Sequence, residues 1–158
     1  MLIYLNNLVS AMANKTRNFY HIVMRMLVIS FLLNFIWESI HAVLLYEGHN
    51  IPAYDYFMMM SYVSVIDALL ILVIYLIVSG ILKDLFWMKK LNPPVIGIFV
   101  FIGIIIAATI EYDAIYLRHK WSYSALMPTV FGLGISPLVQ LSITGLLSII
   151  ITKELMKI

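Results

Sequence analysis

The chain has 158 residues, of which 63% are hydrophobic and 11% charged, with a net charge of +2, no cysteine and a mean hydropathy of +1.01. Soluble domains are closer to half apolar and a quarter charged, and a fold this small leaves much of its surface in water, so a soluble globule is excluded. The same hydrophobicity excludes disorder, and the lack of cysteine excludes disulfide scaffolds, zinc-thiolate sites and thiol nucleophiles.

At the start of the chain, Leu2, Leu5, Leu8, Val9 and Met12 recur at helical spacing opposite Asn6, Asn7 and Ser10. This predicts a short helix lying in the membrane interface, with Met12 as an alternative start. A secretory signal peptide is not expected, because the apolar run that follows is too long, carries Asn, Glu and His, and has no small-residue cleavage pattern after it.

A membrane span needs ~20 mostly apolar residues. Four stretches qualify, at about residues 22–46, 57–82, 95–117 and 126–152. Breakers separate them: Gly48, His49, Asn50 and Pro52 after the first, Asn92, Pro93 and Pro94 before the third, and residues 118–123 before the fourth. The expected fold is all-α, a four-transmembrane-helix bundle forming one domain over residues 1–158.

Positive loops are retained in the cytoplasm. Lys15, Arg17 and Arg25 lie at or before the start of the first span, Lys83, Lys89 and Lys90 follow the second, and Lys153 and Lys157 follow the fourth. The opposite loops hold only Arg118 and Lys120, beside Glu47, Asp55 and Asp113. Both termini are thus predicted to be cytoplasmic, in a multi-pass protein of the cell membrane. The net positive charge is a topology signal, and nucleic acid is not an expected partner, since the basic residues form no single water-exposed patch. Membrane lipid, a lipid-like small molecule and a second copy of the chain are the partners left open. Trp87 and Trp121, with Tyr54, Tyr56, Tyr116 and Tyr123, lie near predicted span ends, as an aromatic belt does. The Met58, Met59, Met60 run, His21 and His49 are expected to be lipid-facing bulk and interface residues without chemistry.

An ionisable group at mid-membrane is costly enough to need a reason, and Glu38, His41, Asp67 and Glu111 are such groups. On the first span Ser30, Asn34, Trp37, Glu38 and His41 share one helix face. Asp67 lies some ten residues into the second span, ~15 Å deep, where its short side chain cannot reach water. Glu111 follows Ala107 and Ala108, which allow close helix approach. In the fourth span Pro128, Gly132, Gly134 and Pro137 predict a helix kinked or broken near residues 132–137. After the break, Ser136, Gln140, Thr144 and Ser148 form a polar stripe, and a half-helix starting at Ser136 would aim its amides at a cavity. By depth, the four ionisable groups all belong to the outer half of the membrane, and their faces can converge.

Carboxyl and imidazole groups gathered in low dielectric have shifted proton affinities and suit acid and base roles. The first reading is a small membrane enzyme acting on a lipid or isoprenoid-like substrate. Glu38 and Asp67 would be acid and base, His41 would relay or orient the proton, Glu111 would balance charge, and Trp37 would face a cationic intermediate. Substrate-binding candidates are Asn34, Trp37, Ser136, Gln140, Arg118 and Tyr123, with Arg118 and Lys120 able to clamp a lipid phosphate. Glu38 and His41 have the i, i+3 spacing of helical-bundle di-iron sites, but those sites need two such motifs. No cofactor is therefore expected, and a single metal ion at Glu38, His41, Asp67 and Glu111 is a minority alternative. Two other functions compete: a proton- or cation-coupled transporter or channel subunit, and a non-catalytic lipid-binding or assembly subunit. The last predicts acids turned to the outside of the bundle, awaiting a partner helix.

Overall fold

The computed structural model of the protein describes residues 2–156, excepting the side chains of residues 2–5, 7, 8 and 11. Lys157 and the Leu2, Leu5, Asn7 and Leu8 side chains of the N-terminal pattern lie outside the described residues. Four helices are long and apolar enough to cross a membrane, over Met12–Leu45, Ala53–Leu82, Pro93–Leu117 and Ile135–Met156.

α1 (Leu2–Leu45) is a single helix of 44 residues. No Gly or Pro occurs in it, and helix propagation without a breaker is favoured over interruption. The separate interfacial helix expected at the N-terminus is therefore the first part of α1. At 1.5 Å per residue α1 reaches ~66 Å, about twice the hydrocarbon thickness. α2 (Ala53–Leu82) starts after Pro52 with Asp55 in its first turn, where a carboxylate meets the positive end of the helix dipole. It stops at Lys83, which takes the left-handed conformation (φ 53°), while the Asp84 amide donates to the Ser79 carbonyl at 3.1 Å. α3 (Pro93–Tyr112) is capped by Asn92, whose Oδ1 accepts from the Val95 amide at 3.0 Å, with prolines filling the first positions, where no amide is needed. It passes into a π-helical turn over Asp113–Leu117.

Residues 126–134, expected as the start of the fourth span, are not helical. Thr129–Val130 (β1) and Leu133–Gly134 (β2) pair as a small antiparallel hairpin, and α4 runs over Ile135–Met156. Pro128 and Pro137 lack the amides a continuous helix would need, and the freed backbone is paired locally, the Ile135 amide donating to the Pro128 carbonyl at 2.9 Å.

Arg25 Nη1 donates to the Leu155 carbonyl at 3.1 Å, and Phe19 packs edge-on against Phe86 at 6.3 Å. One end of the bundle therefore gathers the upstream part of α1, the α2–α3 connection and the end of α4. Within it Ile71, Ile74, Tyr75, Val78, Phe99 and Ile149 are fully buried. Backbones approach closely here: a Cβ on Gly145 would lie 2.7 Å from the Phe99 ring, and one on Gly103 would lie 2.6 Å from Ser142 Oγ. Trp87, expected in an aromatic belt, is instead a core residue, 2% exposed on the short 3-10 helix Trp87–Lys90. Its indole stacks on Tyr75 at 5.0 Å and donates to Ser79 Oγ at 3.1 Å, which gives its polar edge the partner that burial demands.

Candidate functional site

At the other end, α1 turns Asn34, Glu38 and His41 inward on one face, α2 supplies Asp67, α3 supplies Glu111 and α4 supplies Gln140. The amide of Gln140 is the hub. Its Nε2 lies 2.6 Å from Glu38 Oε1, 3.0 Å from Asp67 Oδ2 and 3.1 Å from Asn34 Oδ1. Glu38 Oε1 and Asp67 Oδ2 thus meet at one amide nitrogen. A primary amide has two hydrogens for these three acceptors, so the cluster is short of a proton unless a carboxyl supplies one. Asn34 is fixed from behind: Thr144 Oγ1 donates to its Oδ1 at 3.1 Å, and its own Nδ2 donates to the Ser30 carbonyl at 2.8 Å.

Glu111 occupies a second polar group. Its Oε1 accepts from the Tyr46 hydroxyl at 3.1 Å and its Oε2 from the Tyr123 hydroxyl at 2.5 Å. Burial first, and then the adjoining Glu111, hold both phenols above the ordinary tyrosine value of 10.0, so each keeps the proton it donates. Tyr123 Oη in turn accepts from the Gly134 amide at 2.9 Å, tying the hairpin to the site. The loop carrying Tyr123 also closes the end of α1: the Ser124 amide donates to the Leu45 carbonyl at 2.9 Å, and Ser124 Oγ to the Leu44 carbonyl at 3.0 Å. Carbonyls left without intrahelical partners at a helix end are thereby satisfied, and Tyr46 is positioned beside Tyr123. The Trp121 indole nitrogen is buried near Glu111 without completing a hydrogen bond.

Both groups line one cavity of about 220 Å³, together with His41, Tyr46, His49 and Trp121. Its remaining wall is mostly apolar, including Met59, Met60, Val63, Ala107, Ile110 and Leu141. His49, Met59 and Trp121 also line a vestibule of about 820 Å³ with Lys120 and Glu47, so the cavity leads to the loops. Among the described residues, no three His, Asp or Glu side chains are grouped as ligands of one metal ion would be.

Not every candidate shares this cavity. Asn34 stands behind Gln140, Tyr123 reaches the cavity through Glu111, and Trp37 and Ser136 line a separate groove between α1 and α4. Arg118 lies apart: it is exposed, and its Nε pairs with Asp113 Oδ2 at 2.8 Å. Sequence reasoning missed Tyr46, His49 and Trp121 as cavity residues and placed Met60 in lipid, whereas Met60 is 2% exposed. No periodic pattern in the sequence sets these residues apart; His49 is placed by its ring contacts with Tyr46 and Tyr56, each at 6.3 Å.

The fold and the site define the class: a polytopic helical protein of membrane-spanning dimensions with a polar pocket at one end of an apolar bundle. No protein-family model, curated protein or solved structure matches the chain.

Proposed function

We propose that the protein is a small membrane enzyme that carries out acid/base chemistry on a lipid or isoprenoid-like substrate, with Glu38 and Asp67 as its proton-handling pair. The observation that carries this reading is the contact of two carboxyl groups from different helices with one amide, Gln140, beside a mainly apolar cavity. Acid pairs in such surroundings hold one proton between them, leaving one group to donate and the other to accept. His41, Tyr46 and Trp121 line the same space, and aromatic faces stabilise a positive charge developing on a hydrocarbon. Glu111, held by two phenols, balances that charge.

Transport is less favoured, because the fully buried layer of Ile71, Ile74, Phe99 and Ile149 lies between this pocket and the opposite end. An assembly subunit is less favoured because the acids turn inward. The test is to incubate the full chain in nanodiscs with a membrane lipid extract and follow product formation by mass spectrometry. Wild-type protein should convert a lipid that Glu38→Gln and Asp67→Asn leave unchanged while keeping their helical circular dichroism. Equal conversion by wild type and both variants would sink the proposal.

A further inference from the structure

Three buried polar atoms stand without partners where two spaces meet. His41 is 5% exposed, and neither its Nδ1 nor its Nε2 has a hydrogen-bond partner. One turn earlier, the buried Nε1 of Trp37 has none either, and the two rings meet edge to face at 6.5 Å. His41 lines the acid cavity, and it also lines, with Trp37, the groove of about 390 Å³ between α1 and α4. The flanking side chains of that groove, Ile36, Ile40, Leu44, Ile143 and Leu147, are 42% to 59% exposed, so it opens on the hydrocarbon of the bilayer.

The unpaired atoms specify what enters. An indole offers one donor, and a neutral imidazole offers one donor and one acceptor. A hydrocarbon chain pairs with none of them, and an ether oxygen or a carbonyl supplies acceptors alone. A hydroxyl accepts from the Trp37 indole and donates to the His41 nitrogen that carries no hydrogen, which neither an ether nor a carbonyl can do; the second ring nitrogen points away and is not reached by the same hydroxyl. We infer that the α1/α4 groove admits a long-chain alcohol laterally from the bilayer, its hydroxyl held by Trp37 and His41 and its chain lying along Ile36, Ile40 and Leu147. His41 is shared by groove and cavity, so the hydroxyl is held at the boundary of the space that Glu38 and Asp67 line. What then happens to the alcohol rests on the acid/base reading; its binding does not.

The experiment is photolabelling of the full chain in phosphatidylcholine nanodiscs with a diazirine-bearing long-chain alcohol, competed by farnesol, hexadecanol and the methyl ether of each. Labelled peptides should fall within residues 33–45 and 136–147. An alcohol should compete at about tenfold lower concentration than its ether, and Trp37→Phe, which keeps a ring but loses the donor, should remove about that advantage. Ile40→Trp, which fills the groove from its lipid-facing side, should abolish labelling without lowering the thermal midpoint. The stronger of the two alcohols identifies the chain as isoprenoid or alkyl. Ethers competing as well as alcohols, or Trp37→Phe labelling like wild type, would show a groove filled by ordinary bilayer lipid and overturn the inference. Alcohol-selective labelling in a protein whose turnover survives Glu38→Gln would instead overturn the acid/base reading alone.

Discussion

The two ends of the bundle are made from the same four helices and treat burial in opposite ways. At the end containing Phe99 and Tyr75, the interior holds rings, aliphatic chains and the small hydroxyls of Ser79, Ser148 and Thr152, glycines admit large rings, and the buried indole of Trp87 has its hydrogen bond. At the end containing Glu38 and Asp67, the interior holds carboxyl groups, a cavity of about 220 Å³ and an imidazole with no partner. Packing without voids is the condition of stability in a close-packed protein, so the second arrangement gives up what the first secures. On the proposed function, one end supplies stability and the other chemistry.

The sharpest way to break this division is at the acid pair. Glu38→Gln or Asp67→Asn should lower turnover roughly 10²–10⁴-fold, the range expected when one general acid or base is removed. The thermal midpoint in detergent should stay level or rise, since a neutral amide is less costly to bury than a carboxylate. A fall in midpoint together with lost folding would make the pair structural and erase the contrast.

Phe99→Ala probes the opposite end. It should destabilise the protein by about 3 kcal/mol, as truncation of a fully buried ring does, measured by denaturant titration, while the folded fraction keeps its turnover. A smaller effect is expected from Tyr123→Phe, which removes a hydrogen bond to Glu111 and the acceptor of the Gly134 amide, worth about 1–2 kcal/mol in the same titration. The same residue fixes a pH dependence. Tyr46 and Tyr123 keep their protons above the ordinary value of 10.0, whereas the unfolded chain's phenols ionise there. At these two phenols the folded state then binds more protons than the unfolded one, so their contribution to stability is level below about pH 10 and falls as pH rises beyond it, with a shallower fall in Tyr123→Phe. Thermal midpoints across that range would show the slope. Least of all should change in Arg118→Ala, which breaks an exposed ion pair worth roughly 0–1 kcal/mol and should leave turnover at the wild-type level. A large loss of turnover there would move lipid headgroup recognition to the loop.

Much of the site was legible from cost. Glu38, Asp67 and Glu111 stood out because a carboxyl deep in a span needs a partner, and Gln140 because it fell on a stripe with Thr144 and Ser148. His49, Met60 and Trp121 were not legible, since periodicity says which residues share a face and leaves open what that face meets. Trp87 was misplaced for the same reason: position near a span end is common to belt and core tryptophans, and Ser79 decides between them.

By itself the sequence determined the four apolar helices and where along each of them an acid falls, because hydrophobicity and helical rise act locally along a chain. It did not determine where α4 begins: the prolines and glycines were visible, but a hairpin in their place depends on how the freed backbone pairs. Only the tertiary structure decided that Glu38 meets Asp67 across one amide, that Glu111 is held apart by two phenols, and that Arg118 stands clear of all of them. Those are relations between helices, fixed by packing distances that no single span encodes.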